Sequence, residues 1–313
     1  MEQNNRRNSV SYRPCFHKFQ IVNNKIIRLK IDSFLNGKTI KYILSDVLGI
    51  SGAIITLLKK ADDGIMLNGE RVFVTRIAQA GDELVISIYD ESSDICPAPL
   101  PLDIIYEDED IILLNKPRSM PTHPSRNHYE DTLANALMHY YSGEKFTFRS
   151  VTRLDRDTSG IVLVAKNPLS GAILSESMKK GEIKKQYVAI TDGIPEKESG
   201  RINAPIKRLQ ESIITRGVAP DGKEAITDYE VIEKYNKKAF VRLFPITGRT
   251  HQLRVHMSYI GTPIYGDSLY GNAEKGEETL LHCAKLSFIH PITKKEMTVE
   301  APFPEDMKRA HLD

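Results

Sequence analysis

Residues 150 to 166 read SVTRLDRDTSGIVLVAK, and this stretch decides how the rest of the chain is read. Its second half, IVLVAK, is a short apolar run rich in β-branched residues, the pattern of a strand buried on both faces. Its first half crowds Arg153, Asp155, Arg156 and Asp157 just ahead of that strand, with Gly160 pinning the loop to it. A charged loop held by a rigid buried strand is a good platform for a catalytic carboxylate. Taken alone, the string better suits a plain turn whose acids cap backbone amides and whose arginines pair at the surface.

Working outward, similar strand patterns recur at IILLNK (111–116), QYVAITDG (186–193), EAITDYEVIEKY (224–235) and AFVRLFPI (239–246). Between them, Asn167 as a cap, Pro168 in the first turn, lysines at 179 and 180 and Gly181 as the stop define a helix. A second helix is expected from Thr250, as its cap, to Gly261, with Leu253, Met257 and Ile260 facing inward and Arg249 just ahead of it. The acids at 107 to 110 read as a solvated turn. No 20- to 50-residue repeat is present, which excludes solenoids and propellers.

The amino-terminal part is organised differently. Residues 1–12 are polar and aperiodic, as expected of a disordered tail. From Phe16 to Leu29 the spacing is that of a strand. An apolar stripe at Ile40, Ile43, Leu44, Val47 and Leu48 predicts a helix closed by Gly49, and Ser51 caps a second one through Leu58. Residues 62–86 then alternate and turn at Asn68-Gly69, a hairpin signal. Residues 13–90 are therefore expected to form a small α+β domain. Pro97, Pro99 and Pro101 make 91–103 an extended linker, 104–304 the large domain and 305–313 a tail.

Composition excludes several classes. No apolar run approaches the roughly 18 residues needed to span a bilayer, and MEQNNRRNSV lacks the apolar core of a secretory signal, so the cytoplasm is expected. Cys15, Cys96 and Cys283 are odd in number and far apart, so no disulfide framework is available. His251 and His256 sit five apart where a helical zinc pair needs four, and neither a P-loop nor a dinucleotide fingerprint occurs, so no metal and no cofactor is expected. The net charge is only +2, yet Lys179, Lys180, Lys184, Lys185, Lys207 and Arg208 form clusters able to neutralise phosphates.

The string R-L-D-R-D-T-S-G at 153–160 resembles the active-site signature of the RluA family of RNA pseudouridine synthases. Three further motifs follow in the family's order: K-K-Q-Y at 184–187, T-G-R-T-H-Q-L-R-V-H-M at 247–257 and L-H-C-A-K-L-S-F-I-H-P at 281–291. LLNKP with PTHPS (113–125) and GTPIYGDSLYG (261–271) also look like the family, so the resemblance spans roughly residues 100–303. It implies an α+β fold with a mixed, largely antiparallel central sheet flanked by helices and loops. The amino-terminal domain is similar to a small RNA-binding module shared by a ribosomal protein, tRNA synthetases and RNA modifiers, although its second helix is less basic than usual.

Position by position, the resemblance makes Asp155 the catalytic carboxylate, Tyr187 the active-site tyrosine and Arg249 the basic partner of the aspartate. Arg153 matches an arginine that helps hold the extruded nucleotide, and Leu253, Lys285 and Leu286 fall at substrate-binding positions. Thr152 and Leu253 depart from the frequent His and Ile. The implied reaction breaks the bond from ribose to uracil nitrogen and makes one to carbon-5. A carboxylate suits it by attacking sugar or base or by removing a sugar proton, and a phenol by stacking on the ring and mediating loss of the carbon-5 proton. The implied partner is RNA, ribosomal rather than transfer, bound by a monomer with no membrane and no obligate protein partner. A glycoside hydrolase using Asp155 with Asp157, and an RNA-binding protein that has lost catalysis, are the competing readings.

Overall fold

The structure, a computed structural model, describes residues 25–89, 93–144, 146–209 and 214–309; the expected tail 1–12 and the strand pattern before residue 25 lie outside them. The amino-terminal module runs β1 (Lys25–Lys30), α1 (Ile40–Tyr42), α2 (Gly52–Lys60), β2 (Ile65–Leu67), β3 (Glu70–Arg71) and β4 (Glu83–Ile88). Its antiparallel sheet has the order β1-β4-β2-β3. Asn68 and Gly69, both at positive φ, make the β2–β3 turn as their types require. Ser51 caps α2 by accepting from the Ile54 amide. The expected single helix from residue 40 instead widens after α1 into a π turn at Ile43–Val47, closed by Leu48 N donating to Ile43 O. Ile40, Ile43 and Leu44 are buried, whereas Val47 is exposed.

The larger unit follows after residues 93–103, which carry no regular structure. Asn135 ties this connection down, its Nδ2 donating to the Cys96 carbonyl and its own carbonyl accepting from Ala98 N. The unit contains β5 (Ile104–Glu107), β6 (Ile111–Lys116), α3 (Leu133–Tyr140), β7 (Arg149–Ser150), β8 (Ser159–Ala165), α4 (Pro168–Lys179), β9 (Lys184–Asp192), β10 (Ser199–Asn203), β11 (Ile206–Arg208) and β12 (Arg216–Val218). It continues through β13 (Ile226–Tyr235), β14 (Lys238–Pro245), α5 (Gln252–Tyr259), β15 (Leu281–Ile289), β16 (Glu296–Glu300) and α6 (Glu305–Arg309). Its main sheet has the order β10-β13-β14-β9-β15-β8-β6-β5, antiparallel except between β15 and β8. This is the mixed, largely antiparallel sheet expected.

Burial shows why the sequence folds this way. Every residue of β8 is buried, and Ile161, Val162, Leu163 and Val164 each contribute roughly 1.5–3 kcal/mol by leaving water. Asn167 caps α4 by accepting from Ser170 N. The module is docked rather than dangling, because Leu169, Ala172 and Ile173 of α4 extend its apolar core and Lys25 Nζ lies 2.8 Å from Asp110. The acids at 107–110 are correspondingly no solvated turn. Glu107 pairs with Lys166, Asp108 with His290, and buried Asp110 accepts from Asn167 and Ser170. Nor is 305–309 a loose tail: Met307 is buried and Asp306 pairs with Arg118.

One junction joins the two halves of the sheet. β15 meets β8 in parallel at only two pairs, His282 with Ser159 and Cys283 with Gly160, while its other edge pairs Cys283 with Tyr187 of β9. Gly160 has φ +109, and a Cβ there would fall 2.3 Å from the Cys283 carbonyl oxygen. Only glycine permits this approach. Beside it, the Ser159 hydroxyl lies 2.9 Å from His282 Nδ1, and burial, reinforced by the nearby Arg118 charge, lowers His282 from 6.5 to about 4.

Two outcomes follow from the junction. Gly160→Ala is expected to lower unfolding free energy by about 3 kcal/mol or more through overpacking and backbone strain, read from the urea midpoint; a loss under about 0.5 kcal/mol contradicts the contact. Between pH 6.5 and 4 the unfolded chain takes up a proton at His282 that the folded protein refuses, so stability is lost as pH falls. That term is worth about 3 kcal/mol. Denaturation of His282→Asn across this window should show a correspondingly flatter pH dependence than the parent, and identical slopes would refute the assignment.

Candidate active site

Asp155 sits in the loop that leads into the junction, its side chain 23% exposed. Its carbonyl accepts from Thr158 N, and its neighbour Leu154 is fixed by Thr122, whose hydroxyl donates to the Leu154 carbonyl at 2.8 Å. Below the loop, fully buried Lys116 donates to the carbonyls of Pro117, Met120 and Arg156 at 2.7, 2.8 and 3.1 Å. Burial lowers its ammonium to about 7, opposed by the charges of Asp155 and Asp157. Lys116 therefore fastens the loop to the end of β6.

Tyr187 reaches the same place from the other side of the junction. It is buried in one apolar cluster with Leu154, Leu253, Cys283 and Leu286. Burial first, then Cys283 and the Asp155 charge, raises its phenol well above the ordinary tyrosine range, so it keeps its proton at neutral pH. Lys185, two residues earlier on the same strand face, brings its ammonium beside Gly248, where an added Cβ would be 3.9 Å away. The structure thus brings Asp155, Tyr187 and Leu253 together.

It does not bring in the others as expected. Arg249 is exposed, with its Nε donating to the Glu224 carbonyl at 2.8 Å, and among the described residues no bond joins it to Asp155. The arginine inside the site is Arg254, whose Nε and Nη2 donate to the two oxygens of Asp267 at 2.7 and 2.6 Å, both side chains buried. Burial alone would lower its affinity for its proton. The bonds to Asp267, with Asp155 and Asp157 behind them, outweigh that and hold it above the ordinary arginine range. Arg153 is exposed at the rim, where its charge is felt by His123.

Lys285 lies opposite Gln186, on the sheet face away from Tyr187, and pairs with Glu300 at 2.8 Å. Leu286 is wholly buried in the same core cluster as Tyr187.

The helix start differs too. Thr250 does not cap α5; His251 takes the N-cap position in the left-handed conformation at φ 57. The loop is closed from inside by Gln252, whose Oε1 accepts from Thr247 Oγ1 and Arg249 N while its Nε2 donates to Ile226 O and Thr227 Oγ1. Six consecutive residues from Gln252 to Met257 are buried, so α5 is packed all round rather than along one stripe. His256, between Thr227 Oγ1 and the Ala204 carbonyl, is a satisfied core histidine.

Among the described residues, Asp108, Asp110 and His290 bring possible metal-ligand atoms within 4.8 Å of one another. The Lys25 ammonium already stands against Asp110, and this cluster belongs to the module's docking face.

The sequence matches the family model for RNA pseudouridylate synthase over residues 110–259. It is 42% identical to the uncharacterized RNA pseudouridine synthase YjbO of Bacillus subtilis (strain 168), over 84% of this chain and 94% of that one. To ribosomal large subunit pseudouridine synthase D of Escherichia coli (strain K12) it is 36% identical, over 79% and 81%. Among solved structures, human RNA pseudouridylate synthase domain containing 1 is similar with a TM-score of 0.57 and 28% identity, covering 65% of this chain and 84% of that one.

Arg254→Met would leave Asp267 buried without its counter-charge, and is expected to cost about 3–5 kcal/mol in urea unfolding. Arg254→Met with Asp267→Leu should be less unstable than Arg254→Met alone; equal or greater loss in the double variant contradicts the pairing.

Proposed function

This chain belongs to the RNA pseudouridine synthases of the RluA type, and from that premise we propose that it isomerises specific uridines of large-subunit ribosomal RNA, with Asp155 as the catalytic carboxylate. The observation that carries the role of Asp155 is its convergence with Tyr187 across the Gly160–Cys283 junction, between buried Lys116 and Arg254. Relatives named as large-subunit ribosomal enzymes, matching over about four-fifths of both chains, support that choice of RNA.

In this reading the target uridine leaves its stack, at a cost of a few kcal/mol, and enters between the Asp155 loop and Tyr187. The apolar wall of Leu154, Leu253 and Tyr187 accepts the base ring, and the carboxylate faces the sugar. Arg254 is committed to Asp267, so it supplies field rather than a bond that would block the carboxylate. Because Tyr187 retains its proton, it serves as a stacking surface and hydrogen-bonding relay for the carbon-5 proton rather than as a preformed phenolate. In the same reading Arg153 and Arg249, both exposed, meet RNA phosphates at the rim.

The amino-terminal module is the second RNA contact in this proposal. Its docking on α4 gives the two surfaces a fixed relation, which favours a folded substrate over a short single strand. Among the described residues no helix is long and apolar enough to cross a membrane, and we place the enzyme in the cytoplasm with its RNA, as a monomer.

The test is to map pseudouridine across all RNA of cells lacking the gene, rescued with the parent or with Asp155→Asn. The parent should restore a small set of sites in large-subunit ribosomal RNA and Asp155→Asn none of them. Restoration by Asp155→Asn contradicts the role of the carboxylate, and restored sites confined to transfer RNA contradict the substrate.

A further inference from the structure

His251 enters no step so far, yet it stands between Asp155 and a chain of hydrogen bonds that determines which of its nitrogens carries the proton. Its Nε2 lies 4.0 Å from Asp155 Oδ1 and its Nδ1 lies 2.8 Å from the Tyr270 hydroxyl. That hydroxyl already accepts from the Arg216 backbone N–H at 2.9 Å. A phenol has one proton, and here it points to the acceptor the structure provides, which is Nδ1. This assigns the imidazole proton to Nε2, the nitrogen on the side of the carboxylate.

The surroundings keep this imidazole neutral. Burial is the largest cause, and although Asp155 pulls the other way, Arg254 and Arg216 add positive charge nearby, so the ring sits below the ordinary histidine range. The Arg254 guanidinium lies over the Tyr270 ring at 5.3 Å. Asp267, held by Arg254, accepts from the amides of Leu269 and Tyr270 and so fixes the turn that presents the hydroxyl. The backbone of His251 is itself left-handed, a conformation costing on the order of 1 kcal/mol, and such strain collects where a side chain must be aimed.

We propose that His251 is a positioning residue for Asp155: its Nε2–H, fixed in that tautomer by the Tyr270 hydroxyl, orients the carboxylate toward the target nucleotide. The inference rests on the reading of Asp155 as the catalytic carboxylate. The 4.0 Å separation is longer than a hydrogen bond, and such contacts tighten when substrate closes the site. An orienting group of this kind changes the chemical step and leaves RNA affinity alone, since a misplacement of about 1 Å can cost on the order of 100-fold in rate.

The experiment measures tritium release from total RNA of cells lacking the gene, labelled at carbon-5 of uridine, with full-length enzyme in excess over RNA. It reads the rate at saturating enzyme and the enzyme concentration giving half that rate. His251→Ala should lower the saturated rate about 10- to 100-fold with the half-saturating concentration unchanged within about twofold. His251→Gln, which can place an amide N–H where Nε2 was, should recover most of the rate. His251→Asn, which keeps only the acceptor toward Tyr270, should not.

Tyr270→Phe should slow the parent but add little to His251→Ala, because the hydroxyl acts through the ring it orients. Full activity in His251→Ala, recovery by Asn and not Gln, a change confined to half-saturation, or equal cost of Tyr270→Phe in both backgrounds would each overturn the proposal. Asp155→Asn runs alongside: if it retains the parent rate, the reading of Asp155 fails, whereas if it is inactive and His251→Ala is not, only the role of His251 fails. Unfolding midpoints of all variants, compared with the parent, separate these effects from misfolding.

Discussion

The approach of Gly160 to Cys283 is the contact on which this structure depends. Strand β15 would otherwise have no way to join β8, since a Cβ at 160 would overlap the Cys283 carbonyl. With the contact made, one residue of β15 has Gly160 on one side and Tyr187 on the other. The loop carrying Asp155 leads straight into that glycine. A packing constraint between two backbones therefore fixes the distance between an acid and a phenol that lie 32 residues apart in sequence.

Electrostatics then specialises the pocket. Two cations approach the loop without a hydrogen bond to the Asp155 carboxylate: Lys116 is occupied by three carbonyls and Arg254 by Asp267. The cations nearest the Asp155 carboxylate are thus already committed to other partners. An arginine bound directly to Asp155 would stabilise its charge more strongly but would compete with substrate for it. The docked module adds a second level of order, because its core and the outer face of α4 are one apolar cluster.

Much of this was legible in the sequence. The buried strand at 161–165, the capped helix after Asn167, the turn at Asn68-Gly69 and the convergence of Asp155 with Tyr187 all follow from local chemistry or motif order. What was not legible involves partners distant in sequence. Arg249 and Arg254 are five residues apart, and only the left-handed turn at His251 sends the first outward and the second into the core. The faces of Lys285 and Leu286 were not legible either, because the bulge after Cys283 resets the alternation along the strand. Asp110 looked solvated until α4 and β1 closed over it. One signal was available: the motif at 261–271 carries Asp267 and Tyr270, the residues that organise Arg254 and His251.

A crystal structure of the protein with an RNA fragment containing its target uridine would show whether Asp155 and Tyr187 meet the same nucleotide. The extruded nucleotide is expected between the 153–157 loop and β9, its ring against Tyr187 and its glycosidic carbon facing the Asp155 carboxylate, with Arg254 still on Asp267. A uridine bound elsewhere, or a carboxylate turned away from the sugar and paired with Arg249, would contradict it.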